Sequence, residues 1–175
     1  LVVGGSLGAS TVNRAIAAGV TAITAAGAQL LWQTGRRDTQ LADEATRDNP
    51  DARATEFITD MDVAYRAADI VVSRAGAGSI SELQLLGKAA VLVPSPNVTE
   101  DHQRKNALAL VARNAAVMVE DATAATQLVP AVTALLADPA RREAMGAAIS
   151  GMALRDSDER IVDIIQQIVN RHTTE

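Results

Sequence analysis

Four short stretches of this chain carry residue types suited to holding phosphates and sugars. In "GGSLGAS" (4–10), Gly4, Gly5 and Gly8 follow an apolar run and precede a helical pattern. Glycines in that setting let the backbone turn tightly and approach a ligand, and the helix that follows offers unpaired N–H groups and the positive end of its dipole. A phosphate suits this arrangement, although a tight turn without a ligand uses the same glycines. "RAGAGSISE" (74–82) repeats the strand-to-helix setting. Ser79 and Glu82 there match the S-x-x-E capping box, in which the serine caps the helix and the glutamate reaches back. A cap does not require Gly76 and Gly78, which clear side chains from the helix entrance as a backbone approaching a phosphate needs. Helix cap and ligand contact both stand as descriptions of this stretch.

The third stretch, "FITDMD" (57–62), contains Asp60 and Asp62 in the D-x-D spacing that in other proteins holds a metal with a nucleotide diphosphate. These acids fall just before or within the first turn of a helix, where negative charge favours the dipole, and Asp60 is expected to cap. The fourth, "PSPNVTEDHQRKNAL" (94–108), brings His102, Gln103 and Asn106 within about a turn of one another. Imidazole and amides at that spacing suit hydrogen bonds to sugar hydroxyls; they suit a solvated helix start equally well.

Short apolar segments alternating with helical patterns must position these stretches. Strands are expected at 1–3, 28–34, 54–58, 69–73, 89–94 and 115–119, each separated from the next by a helix or by loop plus helix. Near-continuous apolar strands joined by crossovers indicate a doubly wound parallel sheet, Rossmann-like α/β, with ligands beyond the carboxyl ends of the strands. All four stretches follow strands. Residues 1–120 therefore read as an α/β core and 121–175 as a helical tail of one domain. In the tail Ile161, Ile164, Ile165 and Ile168 recur at i, i+3, i+4, i+7, a stripe that helix packing is expected to cover.

Composition excludes several classes of function. With 175 residues, 48% of them hydrophobic, the chain can bury a core as a single domain. A net charge of −5, with both signs mixed along the chain, argues against a nucleic-acid partner. Without cysteine there is neither a disulfide nor a thiolate metal site, and two histidines without H-E-x-x-H make a zinc centre a poor fit. G-G-S-x-G differs from the dinucleotide fingerprint, and neither a P-loop nor a G-x-S-x-G elbow occurs, so no metal and no cofactor is expected. No apolar run reaches the roughly 20 residues of a membrane span. The chain opens on "LVV" inside an expected buried strand and without Met, so an N-terminal part is expected ahead of it.

"GGSLGA", "TEFITDM", "RAGAGSISE" and "EDHQRKNAL", in this order and at these separations, resemble the C-terminal half of the MurG family of bacterial glycosyltransferases. The resemblance spans residues 1–120 by motif and the helical tail by pattern. It implies the donor-nucleotide lobe of a two-lobed GT-B enzyme that moves N-acetylglucosamine from UDP-GlcNAc to lipid I, forming lipid II in peptidoglycan synthesis. It further implies a cytoplasmic protein, peripheral on the inner face of the cell membrane. The acceptor site, the membrane-facing surface and the general base would belong to an N-terminal lobe outside these residues.

Carried over by position, the resemblance implies that Ser6 and neighbouring amides contact the diphosphate and that Ile58 offers backbone groups to uracil. Gly78 and Ser79 would lie against the nucleotide and its phosphates, Glu82 would accept from the ribose hydroxyls, and His102, Gln103 and Asn106 would meet the sugar. Three positions depart from the residue found in many relatives, for Ser79, or in some, for Gly78 and His102. Ser79 stands for threonine, Gly78 for a larger apolar residue and His102 for glutamine. Two alternatives share the fold: another UDP-GlcNAc enzyme such as a 2-epimerase, whose catalytic acids and histidine are not found here, and a non-catalytic nucleotide-sugar-binding module.

Overall fold

The computed structural model describes residues 1–5 and 8–173. Six strands form one sheet: β1 (Val2–Val3), β2 (Leu30–Gln33), β3 (Ala52–Thr55), β4 (Ile70–Ser73), β5 (Ala89–Leu92) and β6 (Val117–Met118). Their spatial order is β3-β2-β1-β4-β5-β6 and every pair is parallel. The winding reverses between β1 and β4, where Val2 faces Val72 and Val3 faces Ser73. In such sheets the crevice at the reversal point, beyond the carboxyl ends, receives ligands.

Parallel strands need both faces covered, and successive side chains supply two cores. Ile70 and Val72 of β4, with Ala89 and Val91 of β5, join the core under α1 (Ser10–Ala25), α2 (Thr39–Thr46) and α6 (Ala124–Leu136). Val71, Ala90 and Leu92 point the other way, into the core under α3 (Met61–Ala67), α4 (Ala77–Leu86) and α5 (His102–Val111). Within the expected helical tail, Leu128, Val132 and Leu135 of α6 belong to the same buried cluster as Ile16 and Val20 of α1. α7 (Pro139–Ser150) bridges the layers, giving Met145 to one core and Ile149 to the other.

Two expectations change. The third strand, expected at 54–58, occupies Ala52–Thr55. Phe57 and Ile58, apolar enough to suggest a strand, belong to the loop beyond it; Phe57 is 57% exposed, and the Ile58 N–H donates to the buried Gln33 side chain instead of a neighbouring strand. The isoleucine stripe lies on α8 (Ser157–Thr173), yet Ile161, Ile164, Ile165 and Ile168 each stay more than half exposed. Periodicity makes a helix amphipathic without supplying the surface that covers it.

Candidate functional site

The loops after β1, β3, β4 and β5 all emerge at the carboxyl edge, on both sides of the reversal point. The first glycine loop is held from beneath. Gly8 has φ +78°, and a Cβ there would lie 2.4 Å from the Thr34 carbonyl oxygen, so only glycine fits. Beside it Asn13, fully buried, donates to Thr34 O at 2.8 Å and to Asp38 Oδ2 at 2.7 Å, and accepts from the indole N–H of Trp32 at 3.0 Å. Ser10 at the start of α1 also donates to Asp38. α1 itself has alanine at its N-cap and no side-chain cap. Ser6 lies outside the described residues.

The stretch 74–82 forms no capping box. α4 begins at Ala77, with Gly76 at the N-cap and no side-chain cap, so Ser79 is already in the first turn and its hydroxyl has no partner among the described residues. Glu82, instead of reaching back to the helix start, accepts a 3.0 Å hydrogen bond from the Tyr65 hydroxyl of α3. Neither Gly76 nor Gly78 has a left-handed backbone, and a Cβ on either would meet nothing within 4 Å. Backbone and packing therefore demand neither glycine. They leave open space over a helix N-terminus whose N–H groups carry no cap.

Asp60 stands at the N-cap position of α3, but its side chain makes no capping hydrogen bond, contrary to expectation. Asp62 pairs with Arg66 one turn on, at 2.6 Å and in solvent. Among the described residues no group of three His, Cys, Asp or Glu side chains is placed to hold a metal.

On α5 the three expected sugar-contact side chains each commit one end to the scaffold. Gln103 Oε1 accepts from the Ser95 N–H at 2.9 Å, leaving its amide NH2 available. Asn106 Nδ2 donates to the Ala75 carbonyl at 3.2 Å, leaving Oδ1. His102 Nδ1 lies 2.8 Å from the Thr99 carbonyl, a contact that needs hydrogen on Nδ1 and turns Nε2 outward. Just before this helix Glu100 and Asp101 both have positive φ, 56° and 53°. Two successive non-glycine residues in that region store strain beside the polar face.

Sequence reasoning missed the residues that fix the others in place. Gln33, 2% exposed at the end of β2, takes the Ile58 N–H at 3.0 Å, so the Ile58 carbonyl is the backbone group left for a ligand. Its signal was an amide closing the apolar strand "LLW". Arg74 forms a largely buried ion pair with Asp121 and donates to the carbonyls of Val93 and Pro94, while Thr11 of α1 donates to Asp121. This ties the edge's first, fourth, fifth and sixth loops together, and no local pattern announces it. A cavity of about 660 Å³ at the opposite end of the sheet is walled by core side chains such as Ile23, Ile70 and Leu136 and brings none of the expected site residues together.

Comparison with known proteins places the chain in a family. A UDP-N-acetylglucosamine--N-acetylmuramyl-(pentapeptide) pyrophosphoryl-undecaprenol N-acetylglucosamine transferase of Parabacteroides distasonis is 51% identical over 174 residues, covering 98% of this chain and 47% of the relative. Proteins of the same name are 50% identical in Porphyromonas gingivalis (97% of this chain, 45% of the relative) and 43% identical in Phocaeicola vulgatus (100% and 47%). The crystal structure of Acinetobacter baumannii MurG is similar with a TM-score of 0.81 at 28% identity, covering 95% of this chain and 48% of that one. The chain thus spans about half the length of the curated relatives it matches. Residues 1–161, which hold the whole sheet and every loop of the crevice, match the family described as the glycosyltransferase family 28 C-terminal domain, and the chain belongs to that family.

Proposed function

We propose that this chain binds the donor UDP-GlcNAc as the C-terminal lobe of an inverting GT-B glycosyltransferase that moves N-acetylglucosamine onto lipid I, forming lipid II in peptidoglycan synthesis. In this reading residues 1–175 are one nucleotide-sugar-binding domain. The observation that carries it is the entrance to α4, where Gly76 and Gly78 serve neither backbone nor packing and the helix N-terminus is uncapped. The names of the relatives supply the identity of sugar and acceptor.

The diphosphate sits across the reversal point, between the loop bearing Ser6 and the start of α4 with Gly78 and Ser79. Helix N-termini and backbone N–H groups there stabilise the charge that builds on departing UDP. The Ile58 carbonyl meets uracil, where it accepts from the N3–H. Glu82 accepts from the ribose hydroxyls, and the outward groups of His102, Gln103 and Asn106 bind the hexose. The acceptor 4-hydroxyl attacks the anomeric carbon from the face opposite UDP, which inverts the configuration, and a base outside this chain takes the proton. The acceptor lipid and peripheral contact with the cytoplasmic face of the membrane belong, in the same reading, to the rest of the protein. Among the described residues no helix is long and apolar enough to cross a membrane.

Calorimetric titration with UDP-GlcNAc, UDP and UDP-glucose, with and without magnesium, tests the proposal. Saturable binding that prefers UDP-GlcNAc, persists without magnesium and weakens about tenfold or more in Glu82→Ala is expected. A folded protein that binds none of the three overturns it.

A further inference from the structure

We propose that Tyr65 is a positioning residue for the nucleotide: its buried hydroxyl holds the Glu82 carboxylate in one orientation and so sets the discrimination between ribose and 2′-deoxyribose donors. The inference rests on the reading that Glu82 meets the ribose. Tyr65 is the only tyrosine of the chain and is 4% exposed, its ring packed in the same core as Ile80 and Leu83 of α4. A phenylalanine or leucine would fill that space. The hydroxyl costs desolvation unless it is bonded, and its partner is Glu82 Oε2 at 3.0 Å.

Glu82 is otherwise exposed, and among the described residues no second group holds its carboxylate. A free glutamate side chain samples many rotamers, and ordering it on binding opposes affinity. A ring locked by packing removes that cost in advance. With one lone pair of Oε2 engaged, Oε1 and the remaining lone pair of Oε2 stay available, enough to accept from two neighbouring hydroxyls. Burial, and then the adjacent carboxylate, push the Tyr65 phenol above its ordinary value, so it remains a donor throughout the neutral range. The relation places Tyr65 one step behind the ligand, acting through Glu82.

Binding of UDP and of 2′-deoxy-UDP to the whole gene product, measured for wild type, Tyr65→Phe, Glu82→Ala and the double variant, tests this. Wild type is expected to prefer UDP by about tenfold or more. Tyr65→Phe, which keeps the ring, should cut that preference to about threefold or less while leaving 2′-deoxy-UDP affinity and unliganded Tm nearly unchanged. In the Glu82→Ala background the same substitution should have no further effect on UDP, the mark of action through the carboxylate. A Tyr65→Phe protein that still discriminates as wild type does, or that loses both ligands equally, overturns the inference alone. A wild type that binds UDP and 2′-deoxy-UDP alike overturns the assignment of Glu82 to the ribose, and the inference with it.

Discussion

Asn106 Nδ2 donates to the carbonyl of Ala75 at 3.2 Å, so the helix bearing His102, Gln103 and Asn106 is tied to the loop that opens α4. The two proposed halves of the donor site, hexose and phosphate, are thereby held in register before any ligand arrives.

Asn106→Ala should therefore cost more than one sugar contact. Both the tie to Ala75 and the outward Oδ1 are lost, and a net hydrogen bond is worth about 1 kcal/mol. UDP-GlcNAc affinity is expected to fall by about tenfold, and UDP affinity by less, in paired calorimetric titrations.

The glycines of the two loops should respond in opposite ways. Gly8→Ala forces a methyl to within 2.4 Å of the Thr34 carbonyl oxygen at a left-handed φ, and a loss of about 2 kcal/mol or more in urea unfolding is expected. Gly78→Ala meets open space in a helical turn and should stabilise the fold by about 0.5 kcal/mol. The same methyl stands where the nucleotide is proposed to lie, so donor affinity should drop while stability rises. A variant that binds as wild type does would remove Gly78 from the site.

Arg74 and Asp121 are only 20% and 17% exposed, so deleting one partner strands the other's charge. Asp121→Ala is expected to cost about 2–3 kcal/mol of stability, somewhat less than breaking a fully buried pair. Thermal melting checks the loss. Arg74→Lys should recover only part of the loss, because the bonds to Asp121 and to the Val93 and Pro94 carbonyls all leave from Nη1, at the far end of a side chain longer than that of lysine.

A single tyrosine makes an alkaline titration unambiguous. Absorbance near 295 nm reads Tyr65 alone, and its ionisation should occur above the usual value of about 10 because burial and Glu82 oppose the phenolate. In that window the unfolded chain has already lost the proton that the folded chain keeps. The unfolded state then binds fewer protons, and stability falls as pH rises. Tyr65→Phe should abolish this component of the slope. Ionisation at the ordinary value would mean that the hydroxyl is not held as described.

Much of the candidate site was legible because glycine-rich loops between strand and helix are local. Glycines between an apolar strand and a helix mark a backbone that must come close to something, and "GGSLGAS" and "RAGAGSISE" do so within nine residues. The S-x-x-E spacing misled for the same reason: a capping box is a local pattern, and which residue begins the helix depends on where the sheet delivers the chain, here three residues earlier than a Ser79 cap needs. "EFI" misled likewise, its apolar residues serving a loop anchored on Gln33 from a different strand.

By itself the amino-acid sequence determined the parallel α/β class, the approximate place of its six strands and the loops rich in glycine, because each follows from side-chain periodicity and backbone freedom over a few residues. Tertiary structure alone decided the strand order, the pairing of Tyr65 with Glu82 across 17 positions, the Arg74–Asp121 link across 47, and the exposure of the α8 stripe. Those are contacts between distant segments, and they exist only once the sheet has closed around both cores and fixed where each segment ends.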